Sequence, residues 1–497
     1  MSFFDGLLVA LEPGNLLACF IGALVGTFVG VLPGLGPVAT IAMLLPITYH
    51  LSPAAAIVML AGIYYGAQYG GSITAILVNI PGETSTVVTC LDGYRMAQKG
   101  RAGIALSIAA IGSFVAGLFA TAVIAFVSVP LSEFAQQFGP AEYFALMSLG
   151  LVGAVVLARG SIIKALAMIT VGLLLGLVGT DVNSGLQRLN FNIPQLADGL
   201  SFAAIAMGVF GIGEIFSTLG QKRAGVNVVA RIERLWPNRD DLAASAAPIA
   251  RGSIVGSVLG VLPGGGAVLS SFASYALEKK LSRHPEKFGS GAIEGVAGPE
   301  SANNAGAQTS FIPMLTLGIP ANPVMALIAG GLMLHGITPG PQILTEQSLL
   351  FWTVIASMLI GNLLLVIINI PFVGLWTKLF KMPYEILFPC IVVICCVGTY
   401  SVNKMPFDVL ILGLFGVIGY GLVKLNFEVG PMLLGLVLGP MLEENFRRAM
   451  LLARGDPINI IARPISATLL AAALILLCVI LLPNLRRTRA TVFQEEA

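Results

Sequence analysis

The sequence predicts an all-α polytopic membrane protein built from two inverted-topology repeats, with re-entrant helical hairpins and discontinuous helices. Three observations predict it. First, 56% of the 497 residues are hydrophobic and only 10% are charged, with a mean hydropathy of +0.91, whereas soluble chains carry roughly 25% charged residues. Second, a fifteen-residue stretch occurs twice, as GALVGTFVGVLPGLG from Gly22 to Gly36 and as GSIVGSVLGVLPGGG from Gly252 to Gly266, with nine positions identical. Third, corresponding loops after the two copies differ in charge: Tyr94 to Arg101 holds Arg95, Lys99 and Arg101, and Leu334 to Gln342 holds no Lys or Arg. Basic loops stay on the cytoplasmic side, so the two copies are expected to run in opposite directions.

Each copy spaces glycines at every fourth residue (Gly22, Gly26, Gly30; Gly252, Gly256, Gly260), a stripe on one helical face where another helix can come close. Each then ends at a proline. Pro33 and Pro263 lack an amide proton, and Gly34, Gly36, Gly264, Gly265 and Gly266 remove the Cβ, which leaves a tip of bare backbone. The arms around the first tip, about Leu16 to Leu32 and Val38 to His50, are mostly below the ~20 residues a full span needs, so a re-entrant hairpin is expected. A second match follows each copy: GAQYGGSITAILVNIPG from Gly66 and GAQTSFIPMLTLGIPAN from Gly306. Both run from Gly-Ala-Gln to an Ile-Pro break.

Taken in order, residues 1–219 form the first membrane repeat, 220–251 a cytoplasmic linker, 252–464 the second repeat, and 465–497 a last helix and tail. The N-terminal residues carry Asp5 and Glu12 without a basic residue, which points outward. Helices over Ile104–Val129, Tyr143–Leu157, Leu166–Val178 and Leu200–Leu219 alternate between loops whose charges obey the rule. The linker is rich in Arg and Lys. In the second half, Ser282–Asn304 reads as a polar insertion, and helices over Leu349–Val373, Ile386–Tyr400, Val409–Val423, Val429–Met441 and Ile465–Leu482 follow. The C-terminal tail, with Arg486, Arg487 and Arg489, falls inside. One segment breaks the count, because Leu442–Arg463 carries four arginines yet falls outside.

Irregular backbone at membrane depth is tolerated where it lines a cavity, and free amides at helix N-termini favour an anion. The expected substrate and ion contacts are therefore the two tips, Asn79, Pro81, Gly82, Thr84, Ser85 and Thr86 at the first break, Pro320 and Asn322 at the second, and Ser270. Asn303 and Asn304 join them from Pro299–Gly306, a stretch that also reads as a polar loop capping the next helix. A cation would be held by carbonyls entering the same breaks. The six cysteines and three histidines show no ligand spacing, so no metal site or cofactor is expected beyond a coupling Na+ or H+. No phosphate-loop motif is present, which argues against a primary pump. Gly70-Gly71-Ser72 lacks a partner histidine for nucleophilic catalysis, so an enzyme is not expected. A passive channel or an exporter of small organic anions is the alternative to an importer.

With the duplicated GxxxGxxxGVLPGxG stretch, the YGGSITAILVNIPGE segment and the LDGYRMAQKGRAG loop, the sequence resembles the large membrane subunit of the tripartite tricarboxylate transporter family, the TctA type, over nearly its whole length. The resemblance implies a bacterial inner-membrane permease for a carboxylate, driven by a cation gradient. It also implies two partners, a small membrane subunit and a periplasmic solute-binding protein.

Overall fold

The computed structural model describes residues 2–32, 36–157, 161–181, 184–213, 216, 234–262, 266–379 and 384–481. Helices α1 (Phe3–Ala10), α2 (Pro13–Val31), α3 (Pro37–Thr48) and α4 (Pro53–Val78) lead into a tight 3-10 turn at Thr84–Thr86 and two wider π-helical turns at Cys90–Tyr94 and Ala97–Arg101. Then come α5 (Ala102–Ala135), α6 (Pro140–Leu157) and α7 (Ile162–Gly176), followed by a two-residue strand pair, Gly179–Thr180 with Gln187–Arg188. The second half holds α8 (Arg239–Gly260), α9 (Gly266–Leu281), α10 (Glu294–Thr309), α11 (Phe311–Leu317), α12 (Pro323–Leu334) and α13 (Ser348–Asn369). It closes with α14 (Tyr384–Asn403), α15 (Pro406–Lys424), α16 (Gly430–Leu452) and α17 (Pro464–Leu481). Five helices among the described residues are long and apolar enough to cross a membrane: Pro13–Val31, Ala97–Ala135, Arg239–Gly260, Ser348–Asn369 and Pro406–Lys424. The chain is a multi-pass membrane protein, all-α apart from the short strand pair.

Both glycine stripes do the same work. A Cβ on Gly22, Gly26 or Gly30 of α2 would run into the backbone of Met59, Ile63 or Ala67 of α4. In return Gly62, Gly66 and Gly70 of α4 lie against the backbone of α2. In the second copy Gly252, Gly256 and Gly260 of α8 meet the backbone of Gly298, Ala302 and Gly306 of α10. Without Cβ atoms the helix backbones approach to contact, and dispersion acts along the whole seam. The two helix pairs therefore repeat as the sequence does. α4 also touches α10 and α11, which run antiparallel to it: the Tyr65 ring is 5.9 Å from that of Phe311 at the start of α11, Ser72 reaches Glu300 at 2.5 Å, and Gly93 lies against both Ile76 and Val296.

The polar stretch at Pro299–Gly306 is not a loop. It lies inside α10, and every residue from Gly295 to Thr309 is buried. The helix tolerates this because its polar groups find partners within the bundle. Ser301 and Thr309 donate to carbonyls one turn back, at 2.8 and 2.9 Å, and Asn304 donates to Ser113 Oγ at 2.7 Å. The end of the expected linker is helical as well: α8 starts at Arg239, capped by Asn238, whose side chain accepts from the Asp241 amide at 2.7 Å.

Contacts sort the connections into groups. Asp92 Oδ1 accepts from the amides of Gly289, Gly291 and Ala292 at 2.9, 2.7 and 2.8 Å, Lys99 donates to the Ser290 carbonyl at 2.6 Å, and Arg101 pairs with Asp241. Residues 92–101, the start of α8 and the connection after α9 thus lie together. The His335 ring meets the Thr48 carbonyl at 3.1 Å, which joins the end of α3 to the turn after α12. Near the C-terminus, Arg447 pairs with Asp181 at 3.0 Å and Arg463 with Glu142 at 3.0 Å. Two of the four arginines that break the sequence count, Arg447 and Arg463, thus pair with distant carboxylates, while Arg448 pairs with Glu444 in its own helix.

Candidate functional site

The first break starts where Asn79 turns left-handed, at φ 57, ending α4. Pro81 follows, unable to donate, and Gly82 fits against the Gly30 carbonyl and Gly71, where a Cβ would not. The chain is thereby turned back along α4, and Glu83 Oε2 accepts from Gln68 Nε2 at 2.9 Å. Ser85 Oγ donates to Gln68 Oε1 at 3.0 Å, so one amide side chain is clamped from both ends. Thr86 Oγ1 donates to the Glu83 carbonyl at 2.8 Å and accepts from its amide at 3.3 Å. Asn79 and Thr84 are exposed, away from this network.

The second break is built alike. α11 stops at Gly318, left-handed at φ 74, Pro320 is buried, and Asn322 Oδ1 caps α12 by accepting from the Met325 amide at 3.0 Å. Glu83 and Asn322 stand at equivalent places, each two residues beyond the proline of an Ile-Pro pair. The buried Tyr64 hydroxyl, on α4, faces Asn322 and Ser310, so the second break packs against the helix that ends in the first. The Asn322 amide also lies against Gly266, at φ 42, where α9 begins, and Ser270 closes that turn by donating to the Gly266 carbonyl at 2.7 Å.

α10 supplies the third wall. Glu300 accepts from Ser72 Oγ at 2.5 Å and from Thr89 Oγ1. Asn303, fully buried one turn further, lies beside that carboxylate without meeting hydrogen-bond geometry to any group. Gln308 accepts from Thr121 and donates to Asn362, both at 3.0 Å. Beyond Ser72 opens a narrow cleft, lined in part by Tyr69, Ser107, Ser113 and Asn369. Buried polar atoms left without a partner include Glu83 Oε1 and Asn322 Nδ2 at the two breaks, both amide atoms of Asn303 on α10, and the hydroxyls of Tyr69 and Ser107 at the cleft. Such groups are costly unless something else meets them.

Of the residues singled out in the sequence, the structure thus brings Gly82, Ser85, Thr86, Gly266, Ser270, Asn303 and Asn322 to this region. Asn304 turns to Ser113 instead, Asn79 and Thr84 face outward, and Gly36 starts α3 with open space around it. Pro33, Gly34, Pro263, Gly264 and Gly265 lie outside the described residues. Sequence reasoning missed Gln68, Glu83 and Glu300. The signal was there: an ionisable residue in an apolar membrane stretch is a functional candidate by default.

The match to known proteins agrees with this architecture. The model of the tripartite tricarboxylate transporter TctA family matches residues 16–434. The chain belongs to that family. Two relatives come from Agrobacterium vitis. An uncharacterized 52.8 kDa protein in the TAR-I ttuC' 3' region is 57% identical over 491 residues, covering 99% of this chain and 98% of the relative. An uncharacterized protein in the TAR-II ttuC' 3' region is 59% identical over 241 residues, covering 48% of this chain and all of the relative. No solved structure matches significantly. TctA membership accounts for the duplicated glycine-proline stretch and both breaks together, since the matched span includes them all.

Proposed function

We infer that this TctA-family chain is the large permease subunit of a binding-protein-dependent secondary transporter, importing a tricarboxylate or dicarboxylate-like anion down a cation gradient of Na+ or H+. The observation that carries the reading is that the two breaks of the duplicated segments each leave a buried polar atom unpartnered at the equivalent position, Glu83 Oε1 and Asn322 Nδ2, with Asn322 facing Tyr64 on the helix that ends in the first break. Discontinuous helices of paired repeats are where secondary transporters hold their substrates.

The inverted arrangement has independent support. α4 and α10, which carry the two Gly-Ala-Gln segments, run antiparallel. Both ends of the α8–α9 hairpin contact residues 92–101, as expected if it enters and leaves on one face. A substrate carboxylate would be met at the second break by Asn322 Nδ2 and by the N-terminus of α9, whose amides carry partial positive charge.

A small membrane subunit and a periplasmic solute-binding protein are the expected partners, and a bacterial inner membrane the expected location, with the N-terminus periplasmic and the C-terminus cytoplasmic. Uptake by proteoliposomes holding the chain and its partners, given a panel of carboxylates under imposed Na+ or H+ gradients, tests the reading. Full-rate, high-affinity uptake by the isolated chain would overturn the dependence on partners.

A further inference from the structure

Two carboxylates, one from each half of the chain, sit in the middle of the broken-helix region and are unequally satisfied. Glu300, fully buried, has a hydroxyl donor on each oxygen, from Ser72 and Thr89. Glu83 has Gln68 on one oxygen, and its other oxygen is buried and unpartnered. The residues that hold the two carboxylates, Gln68 and Ser72, lie one turn apart on α4.

The elements packed around Glu83 offer no compensating cation. α4 presents Tyr64, Tyr69 and neutral Gln68; α10 presents Glu300. On α9, Tyr275 is held by Asp92 at 3.0 Å and Glu278 by Arg251 at 2.7 and 2.5 Å, and its two lysines stand in the last turn. Among the described residues no Lys, Arg or His bonds either carboxylate. Two like charges in a low-dielectric interior titrate as a pair and gain strongly from one shared positive charge.

We propose that Glu83 and Glu300 form a proton-binding pair, with the exchangeable proton carried on Glu83 Oε1 and serving as the coupling ion. This rests on the transport reading above and assigns its cation. The open valence suits a proton, which needs only the one unpartnered carboxylate oxygen, Glu83 Oε1, whereas a hard metal cation collects several oxygens at once and both Glu300 oxygens already accept from hydroxyls. The step is a simple protonation, in which Glu83 gains H+ on one side of the membrane and releases it on the other. Loading also removes one negative charge beside the anion's site, so proton and carboxylate favour each other's binding.

The test is infrared difference spectroscopy of the purified full chain in lipid, titrated with pH and needing no substrate. The wild type is expected to show a protonated-carboxyl C=O band that disappears in Glu83→Gln. In Glu300→Gln and Gln68→Met the band is expected to persist with a displaced midpoint, because each perturbs the pair without removing the carrier. Variants are compared at equal monodispersity. The proposal is overturned if the band survives Glu83→Gln, or if Na+ at constant pH discharges it and bound ²²Na+ is lost in Glu83→Gln. Failure of carboxylate uptake with the band intact would strike the transport reading and leave the pair standing.

Discussion

The glycine seams give the sharpest quantitative expectation. Adding one methyl at Gly26 puts it against the Ile63 carbonyl, and at Gly256 against the Ala302 carbonyl. Both obstacles are backbone, which cannot rotate away, so α2 must part from α4, or α8 from α10, along the seam. Overpacking of this kind costs about 1–3 kcal/mol, equivalent to roughly a 5- to 150-fold change in the folding equilibrium. Gly413, on α15, has open space where its Cβ would be, and there Ala is expected to stabilise by about 0.5–1 kcal/mol, the usual helix-interior gain. The assay is thermal unfolding of detergent-solubilised protein followed by size exclusion, on Gly26→Ala, Gly256→Ala and Gly413→Ala in parallel. If Gly26→Ala and Gly256→Ala melted with or above the wild type, the close backbone approach would be wrong.

Three further expectations follow from other parts of the molecule. With the native cysteines removed, Gln98→Cys and Thr338→Cys are expected to label from opposite sides with an impermeant reagent, and equal labelling would sink the inverted repeat. Arg463→Ala is expected to cost about 1 kcal/mol or less, because the arginine is half exposed although its partner Glu142 is buried; a double-mutant cycle with Glu142→Gln reads the coupling, and a value near zero would remove this pair as a tie between α6 and α17. Gly34→Val and Gly264→Val are expected to abolish transport with normal expression and monodispersity, the double variant being no worse than either single one, and near-normal rates would make the tips plain turns.

Much of the scaffold was legible because its constraints are local. A helix that must touch another through its backbone needs glycine at every fourth residue, and a helix that must stop needs Pro81 or Pro320; both leave marks in the sequence. α10 was not legible, since Glu300, Ser301, Asn303 and Asn304 look like a loop until Ser72, Thr89 and Ser113 are brought to them by distant helices. Glu83 escaped for a related reason. Its environment depends on the chain turning back at Gly82 to reach Gln68, fifteen residues earlier, a fold-level event. Ser85, singled out as a contact residue, donates to that same Gln68. Arg447 and Arg463 pair with Asp181 and Glu142 from distant parts of the chain, contacts that a loop-charge count does not see.

The central claim is that the two breaks form one site through which a carboxylate is driven by a cation gradient. The most direct measurement is the steady-state inside-to-outside ratio of a radiolabelled carboxylate in proteoliposomes holding the chain, its small subunit and the binding protein, for the wild type and Asn322→Ala. The account predicts a ratio above one that collapses when the cation gradient is dissipated and is lost in Asn322→Ala. A ratio that settles at one whatever the gradient, or that is unchanged by Asn322→Ala, would contradict it.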